Sequence, residues 1–394
     1  MGPRKFLLAT ITTVSVLLYM FPHSNSESVA LPPESAYGPA AESPDAGAPE
    51  LSPGPPPMLF DVDDYGASAG GDATEAFLAA WKDACNSSSD PSLFLVPEGK
   101  TYLLMPLSFG GPCRSTTITA MIRGTLEAPS NRSVWLDGDR RERWITFEDV
   151  DGLHVMGGGT LNGHGQEWWI NSCKVNKSMK CVAGPTAMYF RSCNHLVVDD
   201  LEVKDSMQMH VVIASCWKAA VSRLFVTAPG WSPNTDGIHV SNSREVSITN
   251  CIISTGDDCI SIVSGSEFVR ASGIYCGPGH GISIGSLGAN KSLAHVSDVL
   301  VEKATLVGTT NGVRIKTWQD SAVAISDIRY NNIHGTSLSK VAVKFICSSA
   351  VHCDGIVMQD VSLVGQKGAY LKCSSVNARV ITPGFNSPYC TADM

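Results

Sequence analysis

The sequence lacks a basic surplus, CxxC cysteine pairs and long amphipathic helices. Its 394 residues include 29 lysines and arginines against 37 aspartates and glutamates, which gives a net charge of −8. Because phosphate binding requires a basic field, this balance argues against nucleic acid as a partner. None of the thirteen cysteines falls in a CxxC pair, so a structural zinc site is not expected. The absence of helical patterns between the apolar segments excludes alternating βαβ units and leaves an all-β chain.

The N-terminal apolar run is too short to make a good membrane span. Residues 3–5 (Pro-Arg-Lys) precede the run Phe6–Phe21, and a spanning helix needs ~20 apolar residues. Small residues follow, so residues 1–30 are predicted to be a secretory signal peptide, with no stable membrane association. A type II membrane anchor is the alternative. Residues 31–57 are crowded with Pro, Ala, Ser, Glu and Gly and predict an extended spacer or pro-segment. The folded domain is predicted to span residues 58–394.

What the sequence does contain is a repeat. Asp236, Asp258 and His280 follow one another at intervals of 22 residues. Such a period is typical of a solenoid, in which positions one period apart lie on neighbouring coils about 4.8 Å apart. The spacing therefore predicts that three side chains capable of catalysis lie in one site.

The same short strand recurs around these positions, at residues 236–240 (DGIHV), 258–262 (DCISI), 280–284 (HGISI) and 311–315 (NGVRI). In this alignment two columns are apolar, and a third column between them contains His239, Ser261, Ser283 and Arg314. The period-two alternation predicts strands with an apolar face turned inward. Similar segments continue from about residue 145 onward. Strands stacked in this register, with glycines at the corners, predict a right-handed parallel β-helix.

One helix is predicted at the N-terminal end of the solenoid. Between Thr74 and Ala84, four apolar residues recur at helical spacing: Phe77, Ala80, Trp81 and Ala84. A short amphipathic helix here would cap the first coil and protect its open edge against aggregation.

Thirteen cysteines in an exported chain predict disulfide bonds, and the odd number leaves at least one cysteine unpaired or joined to another molecule. Cys259 directly follows Asp258, and Cys276 precedes His280 by four residues, so a Cys259–Cys276 bridge would lock two coils together. Buried free thiols are the alternative. The sequence also contains four Asn-x-Ser/Thr sequons, at Asn86, Asn131, Asn176 and Asn290, which are consistent with an exported glycoprotein.

Asp236, Asp257 and Asp258 form the predicted acidic cluster. Carboxylates ~5 Å apart repel by about 3 kcal/mol at an effective dielectric of 20, or roughly two pKa units. One member should therefore keep its proton above the usual Asp range, as a general acid must, while another stays ionised to act on water. Pairs of this kind are typical of glycoside hydrolysis. The alternative is an ordinary Gly-Asp-Asp turn with an unrelated loop carboxylate.

Arg314 and Lys316 lie two apart on one predicted strand, so they point to the same face, while Ile315 points inward. A guanidinium and an ammonium together suit the carboxylate of a sugar acid, and this local basic patch would let an acidic enzyme bind an acidic polymer. A surface ion pair is the alternative.

His280, between Gly279 and Gly281, could orient one of the carboxylates, and the two glycines would let a polymer approach the backbone. Asn234 and Thr235 complete the first coil of the predicted site. Their side chains are candidates for positioning water or substrate hydroxyls.

Four motifs follow one another in the order Asn234-Thr-Asp236, Gly256-Asp-Asp258, Gly279-His-Gly281 and Arg314-Ile-Lys316. Together with the runs at 157–163, 232–240 and 276–288, they resemble the signature motifs of the plant-type polygalacturonases, glycoside hydrolase family 28. The likeness covers roughly residues 60–390.

The resemblance implies inverting hydrolysis of α-1,4 links between galacturonic acid units of pectin in the cell wall, with Asp257 as general acid. Asp236 and Asp258 would activate the water, His280 would support the acid, and Arg314 with Lys316 would hold the substrate carboxylate. A secreted monomer without metal or cofactor is expected. Inversion needs carboxyl groups ~6.5 to 9.5 Å apart, so the acid and the water-activating pair should flank the scissile bond.

The chain also departs from the family pattern. Between residues 325–327 and 330–333 it is predicted to lack a stretch of more than one coil, which in relatives carries a tyrosine that contacts the sugar and a cysteine pair. Two other functions stay open, and only the first of them follows from the missing coil. One is a non-catalytic pectin-binding wall protein. The other is a β-helical lyase in which the three aspartates bind Ca²⁺.

Overall fold

The computed structural model describes residues 16–19, 56–88, 91–135, 142–318 and 321–390. Apart from one strand at 16–19, the predicted signal peptide (1–30) lies outside the described residues, and so does nearly all of the predicted spacer (31–57). Both assignments stay predictions. No helix in the described ranges is long and apolar enough to cross a membrane.

The described residues contain two α-helices and 31 strands. The first part of the chain forms β1 (Val16–Tyr19), β2 (Met58–Asp61), α1 (Thr74–Asn86), β3 (Ser92–Val96), β4 (Thr101–Leu103), β5 (Leu107–Gly110), β6 (Ile118–Ile122), β7 (Thr125–Glu127), β8 (Arg143–Glu148), β9 (Leu153–Met156), β10 (Thr160–Asn162), α2 (Gln166–Ile170) and β11 (Thr186–Arg191). The central part forms β12 (Leu196–Asp199), β13 (Glu202–Lys204), β14 (Val211–Ala214), β15 (Trp217–Ser222), β16 (Phe225–Thr227), β17 (Ile238–Ser241), β18 (Arg244–Thr249), β19 (Ile252–Ser254), β20 (Ile260–Ile262), β21 (Ser266–Ser272), β22 (Tyr275–Cys276), β23 (Ile282–Leu287), β24 (Val296–Leu306) and β25 (Val313–Thr317). The last part forms β26 (Ile325–Ser326), β27 (Arg329–Ser337), β28 (Val341–Ile346), β29 (Cys353–Gly365), β30 (Lys372–Val376) and β31 (Ala378–Ile381).

Most coils contribute three short strands, which pair in parallel with the corresponding strands of the neighbouring coils. β15, β16 and β17 of one coil, for example, pair with β18, β19 and β20 of the next. One side of the solenoid is the eight-stranded sheet β5-β8-β11-β14-β17-β20-β23-β25. The predicted all-β, right-handed parallel β-helix is confirmed. Its coils begin near Met58, where β2 pairs with β3, and so include residues before the segments recognised from about residue 145 onward.

The strand alignment read from the sequence is the register of the structure. Ile238, Ile260 and Ile282 are neighbours on β17, β20 and β23, and Ser283 is the neighbour of Arg314 on β25. The three isoleucines are buried, so each coil covers the apolar face of the next one. Burial of these columns is what holds the strands, each only a few residues long, in one register.

The predicted capping helix is present as α1, which closes the N-terminal end of the solenoid. Phe77, Ala80, Trp81 and Ala84 are all buried. The indole of Trp81 packs against the ring of Phe109, with centroids 5.0 Å apart. The helix thereby covers the core at the end where the coils begin.

Ten of the thirteen cysteines form disulfides. The predicted Cys259–Cys276 bond is present and joins the turn before β20 to β22 on the following coil. Cys193, Cys216 and Cys251 are unpaired and buried, so the odd cysteine number reflects three free thiols. The other disulfides are Cys85–Cys113, Cys173–Cys181, Cys347–Cys353 and Cys373–Cys390.

The stack of coils is broken once in the described part of the chain. β25 is the last strand of the eight-stranded sheet, and β28 pairs instead with β30 in a separate sheet. On the opposite side, β1 lies between β24 and β27 and pairs with both. A cavity of about 200 Å³ lies at the break, with Ile315, Tyr330 and Phe345 in its wall. One coil is therefore missing from the stack, as predicted.

The predicted position of the missing coil, between Asp327 and Tyr330, is wrong. Ser326 pairs with Asp354 and Arg329 with Val357, so β26 and β27 keep one constant register against β29. The break lies earlier, in the connection from β25 to β26. Short β-helical strands resemble one another, and the sequence alone offers little to locate a deletion among them.

The buried columns predict that two isoleucines of one coil contribute very differently to the free energy of unfolding. Ile262 on β20 is fully buried between Val240 and Ile284, whereas Ile252 on β19 is 41% exposed. Ile262→Ala should lower the free energy of unfolding by about 2–5 kcal/mol because it leaves a cavity. Ile252→Ala should cost less than about 1 kcal/mol. Urea unfolding followed by circular dichroism measures both, and equal losses would contradict the assigned core.

Candidate active site

Three turns at the starts of β17, β20 and β23 carry the predicted acidic residues and the histidine. Asp236 lies before β17, Asp257 and Asp258 lie before β20, and His280 lies before β23. The pairing of the three strands holds the turns one above another. Main-chain bonds continue this stacking into the turns, since Gly237 N–H donates to the carbonyl oxygen of Asp258 at 2.9 Å. The structure thus brings the predicted residues together.

Asp258 is the centre of the charged contacts. Arg314 Nη2 donates to its Oδ1 at 2.6 Å, and Lys316 Nζ donates to its Oδ2 at 2.8 Å. Arg314 Nε also donates to Ser283 Oγ at 2.8 Å. Burial favours the protonated form of Asp258, but Lys316, Ser283 and Arg314 outweigh it and hold the pKa below its usual value. Both cations therefore lie beside the carboxylates, as predicted.

Asp257 is paired with His280. The imidazole Nδ1 lies 2.8 Å from Asp257 Oδ1, and the same oxygen accepts the main-chain N–H of Asp258 at 2.9 Å. Asp257 Oδ2 has no hydrogen-bond partner among the described residues. A proton carried by Asp257 would therefore sit on Oδ2, where it is available for transfer.

Asp236 is buried, and its environment differs from that of Asp258. Its Oδ2 accepts a hydrogen bond of 2.6 Å from Ser261 Oγ. Burial raises the pKa of Asp236 to about 7, the charges of Asp257 and Asp258 add to the rise, and Ser261 and Lys316 oppose it. One carboxyl group thus has the raised pKa that the cluster predicted. That group is Asp236, which the family resemblance assigns to water activation and not to the role of general acid.

Asn234 and Thr235, the two polar residues of the first coil, lie in different surroundings. Thr235 is buried, and its hydroxyl contacts the hydroxyl of Ser232 at 2.7 Å and accepts the N–H of Gly256 at 3.1 Å. It therefore ties two turns together and is not available to a substrate, which corrects the prediction. Asn234 is half-buried and has a left-handed φ of 57°. Its contact with substrate stays a prediction.

Gly279 and Gly281 are explained by the packing of the coils. Their φ angles are 134° and 83°, which side chains rarely adopt. A Cβ on Gly279 would lie 2.5 Å from the carbonyl oxygen of Asp257, and one on Gly281 would lie 2.1 Å from that of Gly312. The glycines are therefore needed for close contact between turns of neighbouring coils. The approach of a polymer to them is not needed to explain them.

Some residues of the site were not recognised from the sequence as part of it. Ser261 and Ser283 appeared only as the polar column of the strands, yet they contact Asp236 and Arg314. His210 was missed altogether. It is fully buried, and its Nδ1 lies 3.1 Å from the main-chain oxygen of Asp236. Its position directly before the start of β14 offered no motif that would have marked it.

The donor atoms of Asp257, Asp258 and His280 lie within 4.8 Å of one another and could in principle hold a cation. Both oxygens of Asp258, however, already accept hydrogen bonds from Arg314 and Lys316, and His280 Nδ1 is engaged with Asp257. A metal ion would have to displace these contacts next to two positive charges. The group therefore fits acid and base chemistry better than metal binding.

Carboxyl groups held in different protonation states are what glycoside hydrolysis requires. One group must protonate the leaving oxygen while another accepts a proton from water. Here three carboxyl groups interact electrostatically, and one of them is paired with two cations, on a parallel β-helix. Fold and site together are those of a glycoside hydrolase.

Comparisons with known proteins agree with this class. The chain matches the model of glycosyl hydrolases family 28 over residues 85–334 and 319–382. It is 45% identical over 383 residues to a polygalacturonase of Persea americana, a match that covers 86% of this chain and 81% of that protein. It is 43% identical over 375 residues to polygalacturonase-2 of Solanum lycopersicum, covering 85% and 81%. The chain belongs to glycosyl hydrolase family 28.

A solved structure supports the fold. The chain is similar to endo-xylogalacturonan hydrolase from Aspergillus tubingensis, with a TM-score of 0.69 and 21% identity over 84% of this chain and 100% of that one. The family match also bears on the missing coil, because its two segments overlap at residues 319–334, a stretch that starts in the connection from β25 to β26. That is where the structure has its break.

The opposite environments of two aspartates predict opposite effects on stability. Asp236 keeps its proton in the folded state up to about pH 7, whereas the unfolded chain releases it near pH 4, so stability falls as the pH rises through that window. Asp236→Asn should therefore raise the Tm by roughly a few degrees at pH 7 and have little effect at pH 4. Asp258→Asn should lower the Tm at pH 7, because it leaves Arg314 and Lys316 without their partner.

Thermal unfolding of the two variants and the parent chain, recorded from pH 4 to pH 7, measures these effects. A Tm gain for Asp236→Asn that is the same at both ends of the range would contradict the buried, protonated carboxyl.

Proposed function

We propose that the chain hydrolyses the α-1,4 links between galacturonic acid units of polygalacturonate, the backbone of pectin. The observation that carries this proposal is the pair Arg314 and Lys316, which lies beside the acids with 27% and 29% of the side chains exposed. A cationic pair of this kind suits the carboxylate of a sugar acid. Both relatives named above are polygalacturonases, which supports the same substrate class.

The two cations have hydrogen-bond donors to spare. Arg314 uses Nη2 and Nε on Asp258 and Ser283, and Lys316 uses Nζ on Asp258. A guanidinium has five N–H groups and an ammonium has three, so each side chain keeps donors for a substrate carboxylate. We assign this role to them, and we assign a contact with water or a sugar hydroxyl to Asn234.

Asp257 is proposed as the general acid. Its Oδ2 gives a proton to the glycosidic oxygen as the bond from that oxygen to C1 breaks. His280 and the main-chain N–H of Asp258 hold Oδ1 and so fix the direction of the carboxyl group. The proton transferred is replaced from solvent after the product leaves.

Asp236 and Asp258 are proposed to activate the water, and their surroundings divide the task. Asp258 stays ionised because both its oxygens contact cations, so it orients the water and contributes charge. Asp236, whose pKa is raised to about 7, is the better proton acceptor. The hydroxyl formed attacks C1 on the face opposite the leaving group and inverts the anomeric centre.

The proposal includes the setting of the enzyme. Residues 1–30 would direct secretion and be removed, so that β1 is absent from the mature enzyme and its place between β24 and β27 is left open. Residues 31–57 would form a spacer, and the domain from 58 to 394 would act on the cell wall as a monomer. The net charge of −8 argues against nucleic acid as a second partner. The break in the coils adjoins Arg314, which lines the cavity there. Because each coil contacts only its neighbours, we expect weakened substrate binding there and not lost chemistry.

Asp257→Asn should lower the rate of reducing-end release from polygalacturonate by about 10²- to 10⁴-fold, because the amide cannot donate the proton. Asp354→Asn, an exposed aspartate on β29, is the matched control and should leave the rate unchanged. Retained activity in Asp257→Asn would refute the assignment. Binding of polygalacturonate without turnover by the parent chain, across an acidic pH series, would favour the non-catalytic wall protein.

A hydrolase and a Ca²⁺-dependent lyase give different products. We expect reducing ends without unsaturated sugars, and a rate that a chelator leaves unchanged, since Arg314 and Lys316 already neutralise Asp258. Absorbance of the unsaturated bond and a reducing-sugar assay, with and without EDTA, distinguish the two. Unsaturated products that disappear with EDTA would replace the hydrolase by the lyase.

A further inference from the structure

A chain of hydrogen bonds leads from His239 to the buried carboxyl of Asp236. His239 Nδ1 lies 2.7 Å from Ser261 Oγ, and Ser261 Oγ lies 2.6 Å from Asp236 Oδ2. His239 on β17 and Ser261 on β20 are register neighbours, so the stacking of the coils sets the first distance. Ser261 is buried, so its hydroxyl is shielded from solvent.

The protons in this chain can be assigned from its chemistry. A serine hydroxyl has one hydrogen, and an ionised carboxylate can only accept. When Asp236 is ionised, Ser261 therefore donates to Oδ2, and its oxygen must accept from His239. His239 then carries its proton on Nδ1, and both donors in the chain are aimed toward Asp236.

We propose that His239 and Ser261 are positioning residues that favour the ionised form of Asp236 over its protonated form and leave its Oδ1 as the oxygen that faces the water. This inference rests on the proposed function and adds two residues to its machinery. Asp236 Oδ1 has no hydrogen-bond partner among the described residues. In the hydrolytic step, the O–H bond of water breaks, its proton goes to Oδ1, and the new hydroxyl forms the bond to C1.

Such a device is needed because the surroundings of Asp236 oppose its charge. Burial raises its pKa to about 7, and two neighbouring carboxylates act in the same direction. Burial also lowers the pKa of His239 to about 4, so this histidine is neutral above that pH and acts as a hydrogen-bond donor, not as a cation. The titratable and charged groups around Asp236, from every strand and turn packed against it, are His210, His239, Asp257, Asp258, His280, Arg314 and Lys316.

The test measures the protonation of Asp236 directly. The carbonyl stretch of its protonated form is isolated by subtracting the infrared spectrum of the matching variant that also carries Asp236→Asn. The intensity of this band is followed as a function of pH, and the midpoint of that titration is the pH at which half of Asp236 is protonated. Ser261→Ala removes the donor to the ionised form, so this midpoint should rise by about one pH unit. His239→Ala should raise it less, because Ser261 remains, and His239→Asn should restore the parent value, because its amide can replace the Nδ1 donor.

Ser266→Ala is the matched control. Ser266 is also fully buried, but its hydroxyl donates to the main-chain oxygen of Val240 and makes no contact with Asp236. This variant should not move the midpoint. A midpoint in Ser261→Ala within a few tenths of a pH unit of the parent would overturn the proposal, and so would His239→Asn behaving like His239→Ala.

Kinetics give a second and separable readout. In Ser261→Ala, the acid limb of kcat for polygalacturonate should move to higher pH by the same amount as the midpoint, with KM unchanged. A fall in kcat with an unmoved pH profile would mean that the hydroxyl is merely structural. If the parent chain does not turn over polygalacturonate, the proposed function fails. The infrared result still decides whether the hydrogen bonds from His239 and Ser261 control the protonation of Asp236.

Discussion

The site depends on the parallel pairing of successive coils in a single register. β17, β20 and β23 are short strands, and each follows a turn that carries an aspartate or the histidine of the site. A slip of one residue would turn the buried Ile260 outward and put Ser261 into the core. Burial of the isoleucine columns and the Cys259–Cys276 disulfide both oppose such a slip. The geometry of catalysis is therefore a by-product of the packing of the solenoid.

Charge balance is the second requirement of this arrangement. Three carboxyl groups that repel one another would not all remain ionised in a buried site without compensating partners. Arg314 and Lys316 solve this for Asp258, since both its oxygens accept hydrogen bonds from cations. His280 contacts Asp257, and Ser261 contacts Asp236, so each carboxyl has a different partner. These partners explain how residues of one chemical type can take three different roles.

Much of the fold and of the site could be predicted from the sequence, because both follow from a repeat. The 22-residue interval and the alternation in segments such as 258–262 contain the register, and the register brings Asp236, Asp258 and Arg314 together. Thr235 was misjudged, because a motif does not show which of its side chains turns inward. His210 and the hydroxyl of Ser261 were not recognised, because their roles depend on distances between coils that no local pattern contains.

The position of the missing coil could not be predicted from the sequence. A solenoid tolerates the loss, since the coils on either side keep their own pairings, and the sequence near Asp327 resembles an intact strand. The loss matters for function because Arg314 lies both at the acidic cluster and in the wall of the cavity at the break.

The most direct test of the account is a crystal structure of the Asp257→Asn variant with a bound galacturonate oligomer. We expect a sugar carboxylate on Arg314 and Lys316, the glycosidic oxygen within hydrogen-bond distance of residue 257, and a water molecule between Asp236 and Asp258. An oligomer bound away from these side chains, or a site in which the three acidic positions face different sides of the solenoid, would contradict it.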